Sequence, residues 1–373
     1  MDDRVLKIGI VGVGNIATAP KVGYIPNLLR LPEKVQIVAV ADMLLERAQS
    51  VAQQYGIPHA YASVEAMLEQ ADLDAVVNLT NIPAHAATSL KILQAGKHCV
   101  SEKPIATSIA DADVLVNTAR ANNLMFVCAP IVAILPIEIE VRNLISSGAI
   151  GKVAFARVRS SHGGPASWAF PTDPSWFYHM GAGPLFDMGV YGIHTITALL
   201  GPAKRVVAFS GITEPQRTII AGPFKGKQID VTADDNTLLM LDFGESTFAF
   251  VDGTYNVNAA KSPRLEIFGR TGTISINDYP AIGDGAPAYQ IYRVNPDAGP
   301  GTWSDSDATK LKEAEQHYET YYNACVVEHL VDCLRTGQAP VLSAEHARHA
   351  LEIMQMALES ARTGQAIELR TTF

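Results

Sequence analysis

Three groups of residues have the types and spacing to do chemistry. Lys103 closes the run Gly96-Lys97-His98-Cys99-Val100-Ser101-Glu102-Lys103-Pro104, an apolar segment that stops on a charged pair followed by a proline. Pro104 fixes its own φ and crowds Lys103 toward extended geometry, and an ammonium held that way can bind a hydroxyl and ease its deprotonation. A surface ion pair between Glu102 and Lys103 explains this stretch equally well when it is taken alone. Asp187, Tyr191 and His194 recur at the spacing of one helix face and offer a carboxylate, a phenol and an imidazole for moving a proton. The alternative is structural: Asp187 complements a helix N-terminus, while Tyr191 and His194 hydrogen-bond inside an interface. The third group, Gly12-Val13-Gly14-Asn15-Ile16-Ala17, is a G-x-G-x-x-A turn directly after the apolar run Val5 to Val11. Its first Gly makes a tight turn, its second lets backbone approach a pyrophosphate, and its small last residue packs helix on strand.

Positioning these groups requires particular elements. After the Gly turn, Pro20 and Pro26 interrupt the helix, which predicts a short helix, a break and a second short piece. Val35 to Ala41 reads as the next strand and ends on Asp42. An acid there accepts from the ribose hydroxyls of a dinucleotide and repels a 2′-phosphate, which favours NAD over NADP while leaving NADP possible. Asp42 also suits the N-cap of a helix over 44–55, and Arg47 lies one turn into that helix. A short helix around Ala66 to Glu69 and a buried strand, Ala75 to Leu79, follow. Thr80-Asn81-Ile82-Pro83-Ala84-His85 is then a crossing loop before a helix from Ala84 to Ala95, closed by Gly96. Ser108 starts another helix, with Asp111 placed as its capping-box acid, and Leu124 to Cys128 is the last strand of this half. Strand–helix alternation of this length predicts a parallel sheet with helices on both faces. Thr80-Asn81 and Glu102-Lys103 then fall at carboxyl ends of strands, beside the Gly turn, where such sheets bind ligands. The Asn78 to Thr80 glycosylation triplet follows an apolar strand and is taken as chance.

The pattern changes after Ala129-Pro130, which sets expected domains of 1–129 and 130–373. Ile137 to Ser147 reads as an amphipathic helix and Lys152 to Arg159 as an alternating strand. A loop holding His162, Trp168, Trp176, Phe177, Tyr178 and His179 can line a pocket for a polyhydroxylated ring or plug an interface. Leu185 to Leu200 is the helix that carries Asp187, Tyr191 and His194. Alternating segments at 206–212, 236–242, 247–254, 264–269 and 272–277 predict a mostly antiparallel sheet. Residues 277–306, rich in Gly, Pro and Asp, read as a long loop, and two helices are expected over 313–336 and 343–363. His346 and His349 match no metal motif and read as surface residues of the last helix. No metal is expected.

Composition excludes several classes. With 373 residues, 48% apolar and 18% charged, the chain can bury sizeable cores and two domains are expected. Its 29 basic and 38 acidic residues give a net charge of −9, a poor match for nucleic acid or anionic membrane. No apolar run reaches membrane-spanning length and the first residues lack a signal-peptide pattern. Cys99, Cys128, Cys325 and Cys333 are scattered without C-x-x-C spacing and read as buried thiols of a reducing compartment. The expected location is cytoplasmic.

The Gly12 to Ala17 turn, Gly96 to Pro104 and the run Gly181-Ala182-Gly183-Pro184-Leu185-Phe186-Asp187-Met188-Gly189-Val190-Tyr191-Gly192-Ile193-His194 together resemble the Gfo/Idh/MocA oxidoreductases over nearly the whole chain. The resemblance implies an N-terminal Rossmann domain that binds NAD(P) and a C-terminal α/β domain with a mostly antiparallel open sheet, through which members form homodimers or homotetramers. It implies that Lys103 contacts the reacting hydroxyl and that Asp187 opens a helix motif whose next position is Tyr191. Tyrosine there is similar to the glucose–fructose oxidoreductase branch, and His194 stands where many relatives have Asp. The cofactor residues it implies are Gly12, Gly14, Asn15, Ile16, Asp42, Thr80, Asn81, His85, Glu102 and Lys103.

The expected function is hydride transfer between a nicotinamide and a secondary alcohol or ketone of a sugar, sugar derivative or cyclitol. Lys103 binds the hydroxyl oxygen, and Tyr191 or His194 handles the proton. His162, Trp168, Trp176 and Tyr178 are candidate substrate contacts. Two rival readings are a glycosidase or lyase use of the same site without net redox, and a non-enzymatic NAD-dependent sensor.

Overall fold

The computed structural model describes residues 4–277, 287–295, 299–306 and 308–373. The chain forms two compact units, Met1–Ile134 with Glu315–Leu351 and Phe373, and Leu135–Ala314 with Glu352–Thr372.

In the first unit, among the described residues, six strands form a wholly parallel sheet: β1 (Leu6–Val11), β2 (Val35–Ala41), β3 (His59–Tyr61), β4 (Ala75–Asn78), β5 (His98–Ser101) and β6 (Phe126–Cys128). Their order is β3-β2-β1-β4-β5-β6. The strand order reverses at β1, so the crevice for a ligand lies at the carboxyl ends of β1 and β4. Every residue of β4 and β6, and all of β1 except Lys7, is buried, as expected of a parallel sheet covered on both faces. The connecting helices are α1 (Asn15–Thr18), α2 (Tyr24–Leu28), α3 (Leu45–Tyr55), α4 (Val64–Gln70), α5 (His85–Gln94) and α6 (Ile109–Ala121). The broken first helix appears as expected, with Pro20 in the break. Pro26 instead lies inside α2, in the first turn, where its missing N–H has no intrahelical partner to lose. Ser108 caps α6 by accepting from the Asp111 amide, while its hydroxyl donates to the Asp111 carboxylate. All four cysteines are buried free thiols.

The second unit holds α7 (Pro136–Ser146), β7 (Val153–Val158), α8 (Val190–Leu200), β8 (Arg205–Gly211), a small hairpin of β9 (Gln216–Thr218) with β10 (Gln228–Asp230), β11 (Asn236–Gly244), β12 (Thr247–Thr254), β13 (Leu265–Gly269), β14 (Gly272–Ile276), β15 (Gln290–Asn295), β16 (Gly299–Asp305) and, near the chain end, β17 (Ile367–Glu368). All but β9 and β10 join one sheet in the order β16-β15-β14-β13-β7-β12-β11-β8-β17. Its pairings are antiparallel except β12 with β7. Burial alternates along β7, β8 and β11. Ala156, Val158, Ala208, Leu239, Leu241 and Val251 face a core to which α8 contributes. The opposite residues Phe155, Val207, Phe209, Leu238, Met240, Phe248 and Phe250 are exposed. Register places them side by side, Phe248 opposite Phe155, Met240 opposite Phe250 and Val207, and Leu238 opposite Phe209. This sheet therefore presents an apolar open face within its own unit.

Several expectations fail for identifiable reasons. The long loop over 277–306 contains β15 and β16, hidden by the turn-forming composition of β16 and of the stretches around β15, while 278–286 and 296–298 lie outside the described residues. The helix expected over 313–336 is two helices, α9 (Ala308–Tyr321) and α10 (Ala324–Thr336), and α10 packs on β5 and β6. His346 and His349, on α11 (Ala344–Thr363), are buried rather than exposed, and His346 stacks on the Phe373 ring at 4.1 Å. The aromatic end of the chain covers them, a contact that helical periodicity cannot reveal. The helix over 185–200 opens with a π turn, Leu185–Gly189, before α8. The turn is wider than an α-turn, but residues four apart still fall on one side of it, so the spacing of Asp187 and Tyr191 stays compatible with one face.

Candidate active-site elements

In the first unit the Gly turn joins the end of β1 to α1. Gly12 has φ +85°, and a Cβ there would come within 2.6 Å of the Leu79 carbonyl oxygen, so close approach to the end of β4 as well as the turn itself demands glycine. A Cβ on Gly14 would meet nothing within 4 Å, which leaves open space before the loop where a phosphate can approach backbone. Asn15 and Ile16 lie exposed beside it, and Ala17 is buried against the sheet. Asp42, buried at the end of β2, accepts from the Val13 amide through Oδ2 at 3.1 Å and from the Leu44 amide through Oδ1 at 2.9 Å. It fixes the Gly loop and the turn into α3, and Leu44, not Asp42, is the N-cap. Arg47 reaches back to it at 3.4 Å.

Sequence reading named His85 and Glu102 but missed Asn78 and Tyr24 among the groups that hold the neighbouring loops. Asn78, fully buried, donates from Nδ2 to the His85 carbonyl at 3.0 Å and to Ser89 Oγ at 2.9 Å, and its Oδ1 accepts from the Thr80 hydroxyl at 2.7 Å. That burial removes the glycosylation reading. The His85 ring lies 2.7 Å from the Pro104 carbonyl oxygen through Nδ1 and 2.9 Å from the Thr80 carbonyl oxygen through Nε2. Thr80 and the Lys103-Pro104 segment are thus tied by one buried side chain, and Asn81 between them is exposed. Glu102 accepts from the buried Tyr24 hydroxyl at 2.7 Å and from the Lys103 amide at 3.1 Å. Its carboxylate is an anchor for the backbone of Lys103. The only available signal for Tyr24 or Asn78 was a polar group in an apolar setting, because their partners are distant in sequence or on loops.

In the second unit Asp187 sits in the π turn, and its Oδ2 accepts from the Tyr255 hydroxyl at 2.8 Å. Burial first, and then the adjacent Asp187 charge, push the Tyr255 phenol far above its ordinary range, so it stays a donor. His162 stacks on Tyr255 with ring centroids 5.4 Å apart, and Trp168 meets His162 edge-on at 4.8 Å. Asp187, His162 and Trp168 are therefore joined through Tyr255, which sequence reading did not single out. Tyr191 is half-buried, while His194 is 3% exposed. Trp176 stacks on Phe177 with half its surface exposed. Tyr178 belongs to a core of Ala166, Phe177, Ile219, Ile229, Val231 and Tyr255, and its hydroxyl accepts from the Ala166 amide.

The chain matches a family model described as an oxidoreductase family with an NAD-binding Rossmann fold over residues 6–129, and a model of the GFO/IDH/MocA C-terminal domain over residues 139–275. It is 28% identical over 356 residues to a trans-1,2-dihydrobenzene-1,2-diol dehydrogenase of Xenopus laevis, covering 95% of this chain and 97% of that protein. An NAD-binding oxidoreductase from Klebsiella pneumoniae shares the fold with a TM-score of 0.81 at 20% identity, over 98% of this chain and 99% of that one. The WlbA dehydrogenase of Bordetella pertussis, solved with NADH and UDP-GlcNAcA, has a TM-score of 0.75 at 20% identity over 99% of each chain.

The Gly12 geometry sets a direct test of the dinucleotide site. Gly12→Ala forces the loop from the Leu79 carbonyl, and NADH affinity measured by calorimetry should fall by about two orders of magnitude, or ~3 kcal/mol. Unchanged affinity would show that this loop does not hold the cofactor.

Proposed function

This chain belongs to the Gfo/Idh/MocA oxidoreductases, hydride-transferring enzymes with an NAD-binding Rossmann domain, and from that premise we propose that it interconverts a secondary alcohol and a ketone on a sugar, sugar derivative or cyclitol. The substrate class is supported by the diol named for the Xenopus relative and by the nucleotide sugar bound to WlbA. The dehydrogenase names also speak against the glycosidase and sensor readings. Gly12, Gly14, Asn15, Ile16, Asp42, Thr80, Asn81, His85, Glu102 and Lys103 form the cofactor set in this reading. The open space before Gly14 suits a pyrophosphate, and the Asp42 carboxylate suits the ribose hydroxyls of NAD, with Arg47 beside it keeping NADP within reach. Residues 1–129 serve the cofactor, and 130–373 serve substrate binding and assembly.

The observation that carries the assignment is the anchoring of the Lys103 backbone to Glu102 at the carboxyl end of β5. In oxidation the nicotinamide supplies the hydride acceptor when bound. Lys103 donates to the substrate hydroxyl oxygen, stabilising the negative charge that grows as its proton leaves. Tyr191 receives that proton, and the reverse path returns it during reduction. Tyr191 takes that role in its tyrosinate form, and its half-buried position suits contact with a ligand better than the buried His194, which serves as the alternate base. Asp187 orients the substrate. His162, Trp168 and Trp176 offer aromatic faces to the sugar ring, with Tyr178 beneath them. Lys103→Met should lower kcat about 10²- to 10⁴-fold, the range of an acid–base contribution, with NADH affinity changed no more than a few-fold. Near wild-type turnover would refute the role of Lys103.

The chain also assembles as a homodimer or homotetramer in this reading, with a second copy covering the apolar face of Phe155, Phe209, Met240, Phe248 and Phe250. Among the described residues no helix is long and apolar enough to cross a membrane, and the free buried thiols suit a cytoplasmic setting. Phe209→Asp should lower the solution mass measured by light scattering toward one chain. A mass unchanged at an oligomeric value would place the interface elsewhere, and a monomeric wild type would end the proposal.

A further inference from the structure

We propose that Tyr255 is the positioning residue of the second unit, acting on the reaction through Asp187 rather than by touching substrate. The inference rests on the reading of Asp187 as part of the active site. Asp187 lies in a π turn, where its amide donates to the Gly183 carbonyl at 3.0 Å. The Tyr255 hydroxyl, 2.8 Å from Oδ2, holds that carboxylate oxygen in place. An aimed carboxylate is worth more to a reaction than a mobile one, because misplacement by an ångström can cost about 10² in rate.

Tyr255 is itself held from every side. It is 1% exposed, at the end of β12. Its amide donates to the Asp235 carbonyl at 3.0 Å, and its carbonyl accepts from Arg217 at 3.2 Å. Arg217 is in turn paired with the buried Asp235 at 2.7 Å. The Tyr178 ring packs tilted against its ring at 5.2 Å, and the His162 ring stacks on it at 5.4 Å. Gly164, at φ +84°, lies so close that a Cβ there would come within 2.9 Å of the Tyr255 Cβ. The absence of a side chain at 164 is what lets the ring seat. His162 accepts the Gly164 amide through Nδ1 at 2.9 Å, so its neutral form carries the proton on Nε2. One immobile phenol therefore fixes both the carboxylate it donates to and the imidazole stacked on it. A buried tyrosine with its hydroxyl turned to a leucine or valine would serve packing alone; here the hydroxyl is spent on the one acid of the motif.

The test is a double-mutant cycle on the holoenzyme, with kcat, KM, NADH affinity and thermal midpoint read for each form. Tyr255→Phe keeps the ring and should lower kcat about tenfold, the range of one lost orienting hydrogen bond, while NADH affinity and thermal midpoint stay close to wild type. Asp187→Asn should lower kcat further. In the Asp187→Asn background, Tyr255→Phe should then cost nothing more, because the group it positions is already altered. Additive losses would mean that Tyr255 acts by packing alone and would overturn the proposal, as would full activity of Tyr255→Phe beside an impaired Asp187→Asn. Wild-type kcat for Asp187→Asn would instead overturn the reading of Asp187 on which it stands.

Discussion

A parallel sheet leaves backbone carbonyls and amides at the carboxyl ends of its strands with no neighbour to pair with, and burying such groups unpaired is costly. In the first unit that edge is closed by a few buried polar side chains. Asp42 holds the Gly loop and the turn into α3, and Asn78 holds the start of α5. His85 spans the carbonyls of Thr80 and Pro104, and Glu102 joins Tyr24 to the Lys103 amide. Each group satisfies backbone and, in the same contact, fixes a loop that ends beside the Gly turn. The edge that would otherwise be a liability becomes a rigid rim on which cofactor and lysine can be held.

The second unit solves a different problem. Its sheet is covered on one side, so its strands alternate where those of the first sheet are apolar throughout. On its helix-covered side the sheet supports the π turn and α8. The cost of this arrangement is an open apolar face. Around Asp187 the Arg217–Asp235 pair, Tyr255 and Tyr178 form a hydrogen-bonded and aromatic frame. A rigid frame of this kind can aim a carboxylate that sits on an irregular turn.

Much of the molecule was legible in the order of residues. The Gly turn, the Ser108–Asp111 cap and the alternating strands depend on local chemistry and periodicity, which sequence displays directly. The resemblance carried by three ordered motifs agrees with the family assignment and with the nicotinamide-dependent oxidoreductase reading. What escaped depends on contacts between distant residues. Tyr24 meets Glu102 and Tyr255 meets Asp187 across 78 and 68 positions, separations over which no local pattern exists. His346 and His349 looked exposed because the ring that covers them belongs to the last residue of the chain. The π turn escaped because a change from i→i+4 to i→i+5 hydrogen bonding leaves no mark in the pattern of residue types. β16 escaped because its glycines, proline and aspartate read as a turn, and β15, Gln290–Asn295, because it lies between turn-rich stretches.

The central claim is that a substrate C–H becomes the hydride of a reduced nicotinamide, with net oxidation of an alcohol. The most direct measurement follows nicotinamide absorbance while NAD is offered with a panel of aldoses, cyclitols and nucleotide sugars, and the products are identified by mass. The account predicts sustained NADH formation, one equivalent for each ketone made. A substrate from the panel that is consumed and converted without any net NADH would contradict it.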